Sequence, residues 1–358
     1  MRVKLGGVCY LKAGKGLKAS EISKEMNENQ YPCYGGNGLR GFVDKYTHEG
    51  TFNLIGRQGA LCGNVQLVKG KFYATEHAVV VQPLVEMDSK WLFYKLTAMN
   101  LNQYSTGAAQ PGLNIDILSK LEMSIPDILE QKHSAAMLDR IDDLITLRKQ
   151  QFSKLDELVK ARFVELFGDK GYPEDTLLNL CNIIDYRGKT PEKVEYGLPF
   201  ITAKNVRMHQ MNLEPREYIS KETYDKVMVR GFPKEGDVVF TTEAPLGNVC
   251  RIPHFDTEFY IGQRIVTLQT EKLEPIYLEY ALSSDDFKTK YMGKSSGSTV
   301  TGIRVRLLEQ LTIPVPPREL QEQFAAFVEQ TDKSKVVVQK RLEQLKTLKK
   351  ALMQKYFG

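Results

Sequence analysis

The sequence predicts an α+β protein: two mixed α/β domains, each followed by a long helix, the two helices packed as an antiparallel coiled coil with pseudo-twofold symmetry. Three observations carry this. Residues 107–168 align without gaps on residues 297–358, a constant shift of 190, with 15 of 62 positions identical, and such self-similarity marks a duplicated unit. Both copies contain a run of about 40 residues without proline or glycine. Upstream of each run lie short β-rich segments separated by glycine turns.

The first domain, 1–126, has β-rich runs at 51–55 and 78–82, with glycine turns at Tyr34-Gly35-Gly36-Asn37-Gly38 and across 56–63. The central helix, 127–168, opens after Pro126, where a missing amide hydrogen costs little. Its apolar residues Met137, Ile141, Leu144, Phe152, Leu155, Leu158 and Val159 recur in steps of mostly three and four. A short linker, 169–175, leads to the second domain, 176–316, with β-rich runs at 238–242 and 265–269. The second long helix, 317–358, opens at Pro316-Pro317 and carries Phe324, Phe327, Val328, Val337, Leu342, Leu345, Leu348 and Leu352.

Each helix spans roughly 60 Å at 1.5 Å per residue. A narrow apolar stripe of that length needs a partner, and the other helix is the obvious one. The expected seam is Ile141, Leu144, Leu155 and Leu158 against Leu342, Leu345, Leu348 and Leu352. Antiparallel packing is then expected to place the two globular parts at opposite ends. Identities such as Gly112/Gly302, Gln131/Gln321, Asp142/Asp332 and Phe167/Phe357 mark the repeat. A weaker, gapped match continues upstream, where Gly63-Asn64-Val65 answers Gly247-Asn248-Val249 and 73–82 answers 260–269.

Composition narrows the classes. The 358 residues are 42% hydrophobic and 26% charged, with a formal net charge of +5, an ordinary globular balance. No 18-residue apolar stretch appears, and the start lacks a secretory signal, so no membrane association is expected. Five scattered cysteines with no Cys-x-x-Cys pair argue against a disulfide framework or zinc site and for reduced thiols in the cytoplasm. Segment balances are +4 for 1–126, −1 for 127–170, −2 for 171–316 and +4 for 317–358. Any nucleic-acid surface in the second domain must therefore be a local patch.

Catalytic signatures fail one by one. Ala13-Gly14-Lys15-Gly16 lacks the spacing and the Ser/Thr of a phosphate-binding loop. No Gly-x-Gly-x-x-Gly opens a helix, no Asn/Asp-Pro-Pro-aromatic tetrapeptide marks an amino-methyltransferase, and no Gly-x-Ser-x-Gly elbow occurs. The histidines stand alone, so no metal site is expected. Pro126-Asp127 followed by Glu130-Gln131-Lys132 imitates a Mg²⁺-dependent nuclease motif, but these residues open a helix, where acids favour the macrodipole. No catalytic residue is assigned. Two unlike domains on a helical spacer are organised as a ruler.

At this point the sequence resembles the specificity subunits of type I restriction-modification enzymes, over essentially the whole chain. The carrying segments in the first half are Tyr31-Pro32-Cys33-Tyr34-Gly35-Gly36-Asn37-Gly38, Leu54-Ile55-Gly56-Arg57-Gln58-Gly59-Ala60 and Ala74-Thr75-Glu76-His77-Ala78. In the second they are Asp185-Tyr186-Arg187-Gly188-Lys189-Thr190-Pro191, the run from Phe240 to Val249, and Ile313-Pro314-Val315-Pro316-Pro317. The resemblance implies two target-recognition domains, each reading half of a split site in double-stranded DNA, with helices that set the gap. It implies docking of two modification (methyltransferase) subunits and of restriction (endonuclease/translocase) subunits. This chain would bind no cofactor; S-adenosylmethionine, ATP and Mg would sit on the partners. It would perform no chemistry, while the assembled complex would methylate adenine and act as an ATP-dependent endonuclease. The rival reading is a non-catalytic coiled-coil assembly protein without DNA specificity.

Base reading calls for bidentate donors and acceptors, and phosphate contact for basic groups and backbone amides. On that ground the candidates in the first domain are Tyr34, Asn37, Arg40, Arg57, Gln58, Asn64, His77 and Gln110. In the second they are Arg187, Lys189, Thr190, Lys204, Asn205, Thr242, Arg264, Ser298, Thr299 and Arg304. Asn64 and its counterpart Asn248 are equally explained by a turn. His77 has a packing explanation, since its counterpart is Arg264.

Overall fold

A computed structural model describes residues 2–59, 61–107, 112–186, 191–262, 264–297 and 301–358. The chain divides into two units, Met1–Gln150 with Val338–Gly358, and Gln151–Val337. Each unit therefore holds one globular part, the first stretch of the long helix that follows it, and the last stretch of the other long helix.

In the first unit, β1 (Arg2–Lys4) pairs antiparallel with β8 (Glu122–Ser124). The main sheet has six strands: β2 (Cys9–Ala13), β3 (Tyr31–Gly35), β4 (Gly38–Val43), β5 (His48–Gly56), β6 (Val65–Ala74) and β7 (Ala78–Pro83). Their order is β2-β7-β5-β6-β3-β4, and only β3–β6 is parallel. The β-rich runs at 51–55 and 78–82 lie inside β5 and β7. The first four residues of β7, Ala78 to Val81, are all buried, as a strand covered on both faces requires. Helix Ser89–Ala98 is capped by Asp88, whose carboxylate accepts from the amides of Lys90 and Trp91. It contributes Trp91, Leu92 and Leu96 to a core shared with Ile55, Val79, Val81, Leu138 and Phe357.

The second unit repeats parts of this plan with different strands. Strand β9 (Glu174–Thr176) pairs with β19 (Thr312–Pro314), the counterpart of β8 at the 190-residue shift. A four-stranded antiparallel sheet runs β10 (Asn182–Asp185), β18 (Ile265–Gln269), β15 (Val238–Thr241), β16 (Val249–Arg251). A smaller sheet joins β14 (Tyr218–Ile219), β11 (Leu198–Ile201) and β17 (Tyr260–Ile261), and β12 (Val206–Arg207) forms a ribbon with β13 (Gln210–Met211). Helix Pro275–Ser283 starts with proline and is capped by Glu274, whose carboxylate accepts from the Tyr277 amide.

The long helices are Ile128–Phe167 and Arg318–Phe357. Asp127 caps the first, its carboxylate accepting from the Glu130 amide at 2.9 Å. One buried glutamine fastens each helix to its own domain. The Gln131 carbonyl accepts from the Asp88 amide at 2.9 Å and its amide donates to the Pro126 carbonyl at 2.9 Å. Gln321 does the same with Glu274 and Pro316, at 2.9 and 2.8 Å. Both side chains lie at the N-cap of the domain helix, which explains the Gln131/Gln321 identity.

The far end of each helix belongs to the other unit. Phe357 packs against Tyr94 and Trp91, with ring centroids at 5.8 and 6.3 Å, and its carbonyl accepts from buried Lys95 at 2.8 Å. Phe167 packs against Tyr277 and Phe324 at 4.8 and 5.5 Å. Each domain core is thus closed by the tail of the other repeat.

Within the second unit, Asp156 pairs with Lys335 and Phe163 packs on Phe324: numbers rise on one helix as they fall on the other, so the pair is antiparallel. The half-buried and buried positions on the first helix include Leu138, Ile141, Ile145, Phe152, Leu155 and Val159; on the second they include Val328, Lys335, Val338, Leu342, Leu345 and Leu352. Leu144, Leu158 and Leu348 depart from the expected seam, being 42, 50 and 48% exposed. The steps of three and four pass one residue later, through Ile145, Val159 and the stem of Lys349, and one position is a 100° turn of the helix.

Candidate nucleic-acid interface

One backbone frame occurs in both units. In the first, β5 ends at Gly56, whose amide donates to the Asn64 carbonyl (2.8 Å), while the Gly63 amide donates back to Gly56 (2.7 Å). The Arg57 amide then donates to His77 (3.0 Å), and the Arg57 carbonyl accepts from Leu113 (2.8 Å). Gly112 bridges Gln58 and Thr106. In the second, β15 ends at Thr241, whose amide donates to Asn248 (2.9 Å), with Gly247 donating back (2.9 Å). The Thr242 amide donates to Arg264 (2.8 Å), and its carbonyl accepts from Ile303 (2.9 Å). Gly302 bridges Glu243 and Ser296.

The turn glycines are required. Gly63 and Gly247 both have φ +89°, and an added Cβ would sit 2.5 Å from the Asn102 amide nitrogen or 2.1 Å from the Tyr291 oxygen. The main chain is therefore held alike in the two units while the side chains differ: Arg57 answers Thr242, Gln58 answers Glu243, and His77 answers Arg264.

The frame gathers many of the residues singled out from the sequence. Arg57 and His77 are half-buried on it and Gln58 is exposed. Asn64 is exposed in its turn, while Asn248 is tied into its own, donating to the Val206 carbonyl at 2.9 Å. Tyr34 is half-buried against Phe72, burial pushing its phenol above the usual range. Asn37 is exposed at the β3–β4 turn, and exposed Arg40 lays its stem over Gly35. In the second unit Arg264 is exposed and its Nε donates to Glu243 at 2.8 Å. Lys204 and Arg304 are exposed, Arg304 preceding the short helix Val305–Leu308.

Two candidates need correction. Asn205 is 1% exposed, with its carbonyl accepting from Thr202 and its amide donating to Asn212 and Pro215; a side chain so fully used holds a turn. Thr242 is 2% exposed and supplies the frame through its backbone. Gln110, Arg187, Lys189, Thr190, Ser298 and Thr299 lie outside the described residues. Glu76 and Glu243, both on the frame, were absent from the sequence-based candidates because a search for DNA contacts favours bases and amides. Their signal was position: each adjoins a candidate within a segment already singled out.

Among the described residues no group of three or more His, Cys, Asp or Glu side chains could hold a metal ion, and no helix is long and apolar enough to cross a membrane.

A duplicated α+β chain, with one backbone frame presented twice on paired helices, defines a two-domain class of protein. The family described as type I restriction modification DNA specificity domain matches residues 1–157 and again 174–347, so the chain belongs to that family. It is 50% identical over 144 residues to the EcoprrI specificity subunit of Escherichia coli, a match covering 40% of this chain and 36% of that one. It is 25% identical over 385 residues to the MjaVIII specificity subunit of Methanocaldococcus jannaschii, covering 96% and 89%. The fold matches the crystallised type I S subunit from M. genitalium with a TM-score of 0.64 at 18% identity, over 100% of this chain and 96% of that one. A second type I structure, described by its complex assembly and conformational transition, matches with a TM-score of 0.61 at 18% identity, covering 100% and 97%.

Proposed function

We propose that this chain is the sequence-reading subunit of a type I restriction-modification complex, its two domains each contacting one half of a bipartite site in duplex DNA. The observation that carries this is the repeated frame: identical backbone hydrogen bonding with unlike side chains, exposed Gln58 and half-buried His77 in one unit, half-buried Glu243 and exposed Arg264 in the other. Exposed Asn37, Arg40 and Gln58 in the first domain, and Lys204, Arg264 and Arg304 in the second, supply base or phosphate contacts. The helices set the gap between half-sites.

The same helices dock two modification subunits. Their support is a repeated apolar surface: Leu147 and Leu348 are 58 and 48% exposed in the first unit, and Val337 and Leu158, their partners at the 190-residue shift, are 52 and 50% exposed in the second. Exposed apolar groups placed twice by a repeat fit two copies of one partner. The chain itself performs recognition. S-adenosylmethionine, ATP and Mg reside on the modification and restriction subunits, which methylate adenine, translocate and cleave in the cytoplasm.

Co-expression with the cognate modification subunit and genome-wide mapping of methyladenine tests this. Methylation at a split motif, lost when this chain is omitted, is expected. A complex that forms yet methylates independently of this chain would leave it a coiled-coil assembly protein.

A further inference from the structure

Four loops of the first unit meet at 14–16, 34–36, 56–58 and 75–77. They touch backbone to backbone: a Cβ on Gly56 would lie 1.9 Å from the Gly36 carbonyl oxygen, and one on Gly14 would lie 2.2 Å from that of Ala74. The residues between and beside these glycines are therefore crowded together. An ideal Cβ at Gly35 would touch both the Arg40 stem (2.5 Å) and the Thr75 hydroxyl (3.4 Å), and Glu76 Oε2 lies 4.0 Å from one at Gly16. His77 Nε2 lies 3.2 Å from Glu76 Oε1.

This place concentrates unused hydrogen-bonding capacity. Among the described residues, seven buried side-chain polar atoms have no partner, and four of them are here: Arg57 Nε, Thr75 Oγ1, Glu76 Oε2 and His77 Nδ1. Thr75 is fully buried. Buried polar atoms are ordinarily paired, so a cluster of orphans points to groups that arrive with a ligand. The ligand's character follows from the mixture. A phosphate only accepts hydrogen bonds, which would suit Arg57 but be repelled by the Glu76 carboxylate. A base edge offers donors beside acceptors, and a base amino group is the donor on DNA that a carboxylate can accept from.

We propose that Glu76, whose side chain is 42% exposed, is a specificity-determining residue: its carboxylate turns the unpartnered Oε2 outward and accepts a hydrogen bond from the exocyclic amino group of one base (cytosine N4 or adenine N6) in the half-site read by the first domain. This rests on the DNA-reading role argued above. Thr75 and Arg57 bring further unpartnered polar atoms to the same place, and His77, held by Glu76 Oε1, fixes the carboxylate.

The test uses the full chain assembled with its modification subunit, carrying Glu76→Gln or Glu76→Asp. Methylation is mapped genome-wide and its rate measured on duplexes with each base pair of the motif replaced in turn. Both variants are expected to lose discrimination at a single position of one half-site, by about tenfold or more. The other half-site and the spacing stay as they were. A relaxed C·G pair identifies cytosine N4, and a relaxed A·T pair identifies adenine N6. The proposal is overturned if both variants keep the wild-type motif, or if methylation falls equally on every duplex, as loss of a merely structural Glu76–His77 pair would cause. Failure of the wild-type complex to show chain-dependent methylation at a split motif would instead remove the DNA-reading role itself. Glu76→Asp keeps the charge and shortens the reach, so a folding defect confined to Glu76→Gln leaves the test standing.

Discussion

Asp142 lies 2.6 Å from Lys349, and Asp156 lies 2.6 Å from Lys335; in each pair the residue numbers add to 491. The helix pair therefore keeps one register in both units. The repeat requires this, because a shift of 190 up one helix and 190 down the other leaves the sum unchanged.

The two ion pairs are not equal in strength. Lys349 and Asp142 are about a third exposed, and such pairs contribute about 0.2–1 kcal/mol. Lys335 is only 15% exposed and also reaches Asp332 at 3.3 Å. Burial pushes its pKa down, but the bond to Asp156 and the charge of Asp332 outweigh it and hold the ammonium above its usual range. Asp156→Asn alone is expected to cost under about 1 kcal/mol, because Asp332 remains. Asp156→Asn with Asp332→Asn leaves a largely buried cation unpaired and is expected to cost on the order of 2 kcal/mol or more. Urea denaturation of the two single variants and the double variant gives the coupling; simple additivity would contradict the shared-partner geometry.

The glutamine fasteners give a second prediction. Gln131→Ala orphans the Asp88 amide and the Pro126 carbonyl, and Gln321→Ala orphans the Glu274 amide and the Pro316 carbonyl. A fully buried group left unpaired costs about 1–3 kcal/mol, and these groups, buried or partly so, are expected to cost up to that. Both variants should melt well below the parent in thermal unfolding by circular dichroism. An unchanged melting curve for either would show that the fastener carries no stability.

The thiols give a third. Burial pushes Cys9, Cys181 and Cys250 up to about 12 and raises Cys33 and Cys62 in the same direction. The thiolate is the reactive form, so at pH 8 the native chain should resist Ellman's reagent and release its five equivalents only in guanidinium. Rapid labelling of a native thiol would show that its site opens.

The long helices were legible because forty residues without proline or glycine, in steps of three and four, admit little else. Their start was legible too, through Pro126 and Pro316-Pro317. The seam was harder to read. Leu144 and Ile145, or Leu158 and Val159, are neighbours of like polarity, and only the partner helix selects one. The Phe167/Phe357 identity was visible, but nothing local to a phenylalanine announces that it closes the core of the other repeat's domain. The repeated frame is built from main-chain bonds, which carry no side-chain signature. Arg57, Gln58 and His77 could still be chosen by chemistry. Asn205 could not be rejected, because a buried turn amide and a base-reading amide are the same residue type.

The central claim is that the paired helices are a ruler between two independent readers. The most direct measurement inserts seven residues after Gln150 and seven after Lys340, which keeps both seams in phase, and then maps methylation by the assembled complex. At 1.5 Å per residue the insert adds about 10.5 Å, or about three base pairs at 3.4 Å each. The expected motif keeps both half-site sequences and gains about three base pairs between them. Methylation at the original spacing would contradict the ruler.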